Sequence, residues 1–372
     1  MRIVIASNSF KGTLTAPQAC AAMAAGVRAA CPDAEVIEAP LADGGEGTVV
    51  AIVQATGGEL RTACVTGPLG DPVEAAFGLL DGGRRAVVEM AAASGILLVQ
   101  PQRRDVLRAT TFGTGELIRV ALDAGARELL IGIGGSATCD GGCGMAQALG
   151  VRFVDGAGAR LPDGMGGGEL HAVAGIDVRY RDARISAATI RVLCDVTNPL
   201  TGPDGAAAVY GPQKGAGPAE VAVLDRGLGQ LADVIARDLH IDVRSLAGGG
   251  AAGGLGAGLV ACLGGRLTSG AQAIIDFIGL EEKCRGADLI LTGEGCFDEQ
   301  SLQGKSLNRV GEMARRLGIP LLVVAGRIEL DRTAWRGLVA DAEVSRKIGP
   351  SAANAVAAAA TAVVRRACPH VN

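Results

Sequence analysis

Six short apolar runs, RIVIAS, EVIEAPL, LLIGIGG, IRVLC, DLILT and LLVVAG, each break off into glycine and small polar residues. Such runs do not alternate apolar with polar, so both faces of each strand must be covered, as in a parallel sheet. Helical patterns stand between several of them. Thr15 can cap a helix reaching about Ala30 with Pro17 in its first turn, and DGGEGTVVAIVQATG turns into another. Strand, crossover helix and strand in alternation predict an α/β fold with a doubly wound sheet.

The pattern changes in the middle. From about Leu60 to Val99 short β-like runs (RTACVTG, VEAAFGLL, RAVVEMA) are separated by turn signals at Gly67-Pro68, Asp71-Pro72 and Asp81-Gly82-Gly83. That is the grammar of hairpins. Towards the end, ADLILTGEG, a helix from about Gln303 to Gly318, PLLVVAG and a last helix return to strand–helix alternation. Two α/β domains are expected: residues 1–60 and 283–372 form a flavodoxin- or Rossmann-like parallel-sheet domain from both chain ends, and 61–282 an inserted α/β domain.

Composition narrows the function classes. With 49% hydrophobic and 20% charged residues in 372, the chain is long enough for more than one packed core. A net charge of −4, no basic run and 2% aromatics argue against nucleic acid as a partner. The N-terminal apolar run is too short for a secretory signal, and the Ala-rich C-terminal stretch, carrying Asn354 and Thr361, falls short of a membrane span. Ten cysteines without C-x-x-C spacing and three histidines favour reduced thiols over a zinc or disulfide framework. A cytoplasmic enzyme is expected. Monomer and homodimer fit the pattern equally.

Ligands of open α/β sheets bind beyond the carboxyl ends of the strands. Those ends carry Asn8-Ser9-Phe10-Lys11, Asp43-Gly44-Gly45-Glu46-Gly47-Thr48, Ser136 through Asp140, Asp195 through Pro199, Glu294-Gly295-Cys296-Phe297-Asp298, and Arg327. Glycine lets the backbone approach a ligand, and the polar groups suit phosphate, hydroxyl and metal. Any single Asp-Gly pair is an ordinary turn; the recurrence is what points to a site.

Two familiar signatures fail. Gly304-Lys305-Ser306 lacks the glycine at 299 that a phosphate loop needs, and Gly248, Gly250 and Gly253 match G-x-G-x-x-G without a preceding strand or a following acid. The second run reads instead as a flexible or close-packed helix start. No G-x-S-x-G or H-x-x-E-H pattern supports a hydrolase. Lysine is the sharper signal. It occurs only at 11, 214, 283, 305 and 347, against thirty arginines, and Lys11, Lys214 and Lys305 each adjoin glycine. A compact ammonium suits a point contact with phosphate where arginine offers a planar fork.

The motifs SFKGTLTA, LADGGEGT, VTGPLG, EMAAASG, TFGTGELI, IGIGGSATCDGGCGM, CDVTNPLTG, YGPQKGA and LTGEGCFDEQSLQGK closely resemble, in order, those of the type-1 glycerate kinase family, from residue 1 to about 350. The resemblance implies ATP-dependent phosphorylation of D-glycerate, most often at the 2-hydroxyl, with Mg²⁺. The reading then assigns Lys11 to the transferred phosphoryl group and Asp195 to general-base catalysis. Ser9, Asp43, Glu46, Ser136, Asn198, Lys214, Lys305 and Arg327 are candidates for binding phosphate or substrate. Glu294, Asp298 and Asp43 are candidate Mg²⁺ ligands.

Two positions depart from the family pattern. Asn8 stands where the family usually has Asp, and Cys296-Phe297 stand where it usually has Arg-Ile. One acid and one base are thus missing, which leaves room for another small hydroxy acid as substrate, for 3-phosphoglycerate as product, or for an inactive binding relative.

Overall fold

The computed structural model describes residues 1–42, 44–302, 306–345 and 351–368. The chain divides into two compact units, Met1–Asp43, Val50–Gly58 and Ala271–Asn372 in the first, Gly44–Val49 and Glu59–Gly270 in the second. Residues 271–282 therefore belong with the chain ends, and the 44–49 stretch with the middle. Asp43 and Lys305, two of the sequence candidates, lie outside the described residues.

The first unit is built on β1 (Arg2–Ser7), β2 (Glu35–Glu38), β11 (Leu289–Phe297), β12 (Leu321–Ile328) and β13 (Asp341–Val344), all parallel and ordered β13-β12-β11-β1-β2. Numbered within the unit this is the 2-1-3-4-5 order of flavodoxin-like sheets, whose order reverses between the first and third strands. The reversal falls at the paired β1 and β11, joined from Ile3–Leu289 to Ser7–Gly293. Helix Ala16–Ala30 starts where expected. The Thr15 hydroxyl accepts from the Gln18 N–H and the Gln18 side chain accepts from the Thr15 N–H, a reciprocal cap. This helix lies against the last one, Ala352–Ala367, so closely that a Cβ on Gly26 would fall 2.2 Å from the Ala357 carbonyl.

The second unit holds a six-stranded sheet, β10-β9-β6-β5-β4-β3, made of β3 (Glu59–Thr66), β4 (Pro72–Leu80), β5 (Arg85–Glu89), β6 (Glu128–Gly132), β9 (Thr189–Leu193) and β10 (Arg266–Thr268). The hairpin signals between 60 and 99 become antiparallel β3–β4–β5, while β5, β6, β9 and β10 run parallel. A two-stranded ribbon, β7 (Arg152–Val154) with β8 (Gly175–Asp177), stands apart. One core joins the sheet to helices Phe112–Asp123, Pro218–Leu239 and Leu255–Leu263. The glycine-rich run before Leu255 is close packing: a Cβ on Gly253 would meet the Thr138 carbonyl at 2.0 Å. Among the described residues no helix is long and apolar enough to cross a membrane.

Candidate functional site

In the first unit the polar residues gather where the strand order reverses. After β1 the chain makes a tight turn: the Phe10 N–H donates to the Leu14 carbonyl at 2.9 Å and the Leu14 N–H returns to Phe10 at 3.0 Å. Phe10 is buried and anchors the turn in the core, which leaves Lys11 exposed at its tip, followed by Gly12 at φ +77°. The Asn8 N–H donates to the Gly293 carbonyl of β11. Ser9 is half-buried beside it. The Asn8 side-chain oxygen is enclosed and has no hydrogen-bond partner among the described residues. An enclosed acceptor of this kind is costly unless something donates to it.

The glycines of the β11 segment explain how these loops come together. A Cβ on Gly295 would stand 3.3 Å from the Lys11 backbone nitrogen, and one on Gly326 would sit 2.5 Å from the Gly295 carbonyl. Side chains at either position would push the β1 turn and β12 away. Glu294 and Asp298 are half-buried on the same segment, and the Asp298 carboxylate accepts from the Ser301 N–H at 3.1 Å.

Cys296, Asp298 and Glu329 bring ligand atoms within 4.8 Å of one another. They do not suit Mg²⁺ as a trio. Arg327 Nε lies 2.9 Å from Glu329 Oε1 and 3.0 Å from Cys296 Sγ, so a guanidinium already neutralises the cluster. Burial also pushes the Cys296 thiol up, against the pull of Arg327, and Mg²⁺ prefers oxygen donors to a neutral thiol. The carboxylates of Glu294 and Asp298 are the oxygen donors of the described β11 segment.

In the second unit the candidates share the carboxyl edge of the parallel strands. The loop bearing exposed Glu46 runs over the end of β6, where a Cβ on Gly132 would meet the Gly44 carbonyl at 2.7 Å. Glu89, at the end of β5, holds this loop by accepting from the Gly47 N–H at 3.3 Å and the Val49 N–H at 2.5 Å. Its carboxylate thereby caps the helix Thr48–Thr56, and burial pushes its pKa up. Glu89 was absent from the sequence candidates because it reads as the last residue of an ordinary strand.

Asp195 is exposed just beyond β9, its Oδ1 accepting from the Gly270 N–H at 2.8 Å and the Ser269 hydroxyl at 3.2 Å. Asn198 ties its own loop together: its amide donates to the Asp204 carbonyl at 2.8 Å and its oxygen accepts from Tyr210 at 2.6 Å. Lys214 is buried, donating to the Ser136 hydroxyl at 2.6 Å and the Thr138 carbonyl at 2.7 Å. Burial drives its pKa down from 10.5 to about 8, with Cys139 and Asp140 opposing. Asp140 is fully buried and accepts from the Thr111 N–H and hydroxyl and from the Gly142 and Gly144 N–H groups. The glycine-rich 134–144 loop is thus held from beneath by buried charge.

A parallel sheet of flavodoxin order, with a lysine turn at its reversal point, and a mixed sheet with acids on its parallel carboxyl edge define an α/β protein equipped to hold a phosphorylated ligand. The profile of the glycerate kinase family matches residues 3–371. The sequence is 47% identical over 331 residues to glycerate 2-kinase of Escherichia coli, covering 89% of this chain and 86% of that one. It is 47% identical over 334 residues to glycerate kinase of Bacillus subtilis, covering 90% and 87%. The fold superposes with TM-score 0.91 and 46% identity on the crystal structure of a protein described as a glycerate kinase 2 from Salmonella typhimurium LT2, over 99% of this chain and 98% of that one. The chain belongs to the glycerate kinase family: it is an enzyme of ATP-dependent phosphoryl transfer to glycerate.

Proposed function

We propose that the enzyme phosphorylates D-glycerate at its 2-hydroxyl, forming 2-phosphoglycerate and ADP. The observation that carries this reading is Lys11, exposed on a core-anchored turn at the reversal point of a flavodoxin-order sheet, in a chain of the glycerate kinase family. The 2-position follows the similarity to the glycerate 2-kinase of E. coli.

Phosphoryl transfer depends on positioning and on neutralising the charge spread over the transferred group. In the proposed reaction the 2-hydroxyl oxygen forms a bond to the γ-phosphorus as the bond to the β–γ bridging oxygen breaks. Asp195 takes the hydroxyl proton and ADP carries the leaving electron pair. Its tie to Gly270 and Ser269 holds the carboxylate in one orientation. Lys11 meets the developing charge on the phosphoryl oxygens, with Lys305 as its assistant. Ser9 and Glu46 bind phosphate or substrate hydroxyls, Asp43 adds a further acid, and Arg327 receives the glycerate carboxylate. Ser136, Lys214 and Asn198 shape the loops that form the binding surface.

Glu294 and Asp298 fit Mg²⁺, which takes one or two carboxylates and completes its shell with phosphate oxygens and water. When bound, the ion supplies neutralisation of the ATP phosphates. The ten cysteines form no disulfide, which supports a reducing compartment such as the cytoplasm as the location.

The test is turnover of D-glycerate with MgATP, read by coupled ADP release, with the phosphorylated carbon identified by NMR. Lys11→Ala and Asp195→Asn should each lose about 10²-fold or more in kcat while remaining folded. Activity of both variants within a few fold of wild type would remove these assignments. Faster turnover of another small hydroxy acid would move the substrate, a shift that Asn8 and Cys296 would explain.

A further inference from the structure

The connection from β12 to β13 carries no helix among its described residues, and it forms a half-open surface pocket of about 340 Å³ lined by Arg332, Thr333, Trp335, Arg336, Val339 and Ala340. None of these residues belongs to the site proposed above. Trp335 is 5% exposed, and its indole Nε1 is buried without a hydrogen-bond partner among the described residues. The ring is fixed against Phe297, with centroids 6.1 Å apart. Positive charge converges on the same cavity. The Arg332 guanidinium carbon lies 5.8 Å from the indole centroid, and its contact with Asp341 is 3.5 Å, whereas Arg366 holds that carboxylate at 2.8 Å. Arg336 is exposed and makes no ion pair among the described residues.

We infer that this cavity is a second, anion-binding site, which takes a small dianion of the phosphate or phosphomonoester class. Two guanidiniums present the planar forks that match phosphate oxygens, Thr333 adds a hydroxyl, and the Trp335 ring forms part of the wall. The volume exceeds that of inorganic phosphate and leaves room for the organic group of a phosphomonoester. Arg366 is shared between Asp341 and Glu343, so Asp341 also draws on Arg332, and Arg336 carries the charge left for an anion.

The chain contains a single tryptophan, so emission excited beyond the tyrosine absorption band reports on Trp335. Inorganic phosphate is titrated into the full-length enzyme, with chloride at matched ionic strength as the control, while Trp335 emission is followed. The expected result is a saturable change with phosphate, absent with chloride and retained in Lys11→Ala. It should weaken by about tenfold or more in Arg336→Gln and in Arg332→Gln, one charge-assisted contact being lost in each. Both arginines are exposed, so neither substitution threatens the core. No saturable change in wild type, or an unchanged midpoint in Arg336→Gln, overturns the proposal. A response that disappears in Lys11→Ala and persists in both arginine variants also overturns it, since the signal would then arise from phosphate at the β1 turn.

Discussion

Lys11 and Lys214 have look-alike surroundings in the sequence, each a lone lysine beside glycine in a chain that otherwise uses arginine. The fold gives them opposite circumstances. Lys11 is exposed at the tip of a turn whose neighbour, Phe10, is locked in the core. Lys214 is 3% exposed and occupied by Ser136 and Thr138. The first stands at an exposed tip that a phosphate can reach. The second would have to give up two short hydrogen bonds and leave its acceptors unpaired. A glycine-flanked lysine therefore marks a loop that needs positive charge, and only its surroundings say whether ligand or protein receives it.

The sharpest test of this contrast is a pair of substitutions. Lys11→Ala should lower kcat by about 10²–10³-fold, the range for removing one preorganised transition-state contact, with no change in thermal unfolding. Lys214→Met should do the reverse. It should cost about 2 kcal/mol of stability, seen as a Tm lower by several degrees, while kcat falls less than tenfold in ADP-release assays. A Lys214 variant with full thermal stability and Lys11-like loss of turnover would break the comparison.

Titration sharpens it further. The folded pKa of Lys214, about 8, lies below its ordinary 10.5. Between those values the unfolded chain binds a proton that the folded one does not, so stability attributable to this group rises as pH climbs from about 8 towards 10.5. Below the folded pKa both states are protonated and the burial penalty is present in full. Chemical denaturation at about pH 7 and about pH 9, roughly one unit on either side of the folded value, should show wild type gaining stability relative to Lys214→Met. An unchanged difference would mean that Lys214 is already neutral or is not desolvated. The smallest effect is expected at Asn8. Asn8→Ala removes the enclosed acceptor beside the lysine turn, and KM for D-glycerate should rise by about tenfold with kcat nearly constant. A change in kcat alone would place Asn8 with the chemistry rather than with binding.

The α/β class, the hairpins of the 60–99 stretch and the caps of the first helix were legible because they rest on local rules. Apolar runs bounded by glycine, turn dipeptides, and the Thr15–Pro17 start each act within a few residues. β10, β13 and the β7–β8 ribbon were not legible. They are three or four residues long, and their pairing comes from neighbours far away in the chain. The loops that hold the candidate site were legible too, since glycine with Asp, Glu, Asn or Lys after a strand is a local pattern.

What tertiary structure alone decided is which of those polar groups face outward. Ser136 and Asn198 looked equivalent to Ser9 and Asp195 as loop residues, yet Ser136 is buried under Lys214 and Asn198 is bound into its own loop. Glu89 opens the EMAAASG motif without reading as a site residue, and Trp335 carried no sequence signal, because a strand-end acid and a lone aromatic are ordinary until their partners are known. The composition and order of residues determine where the chain can turn and what each turn can offer. Whether an offered group stays available depends on desolvation and hydrogen-bond competition from residues distant in sequence, and those exist only once the sheet has formed.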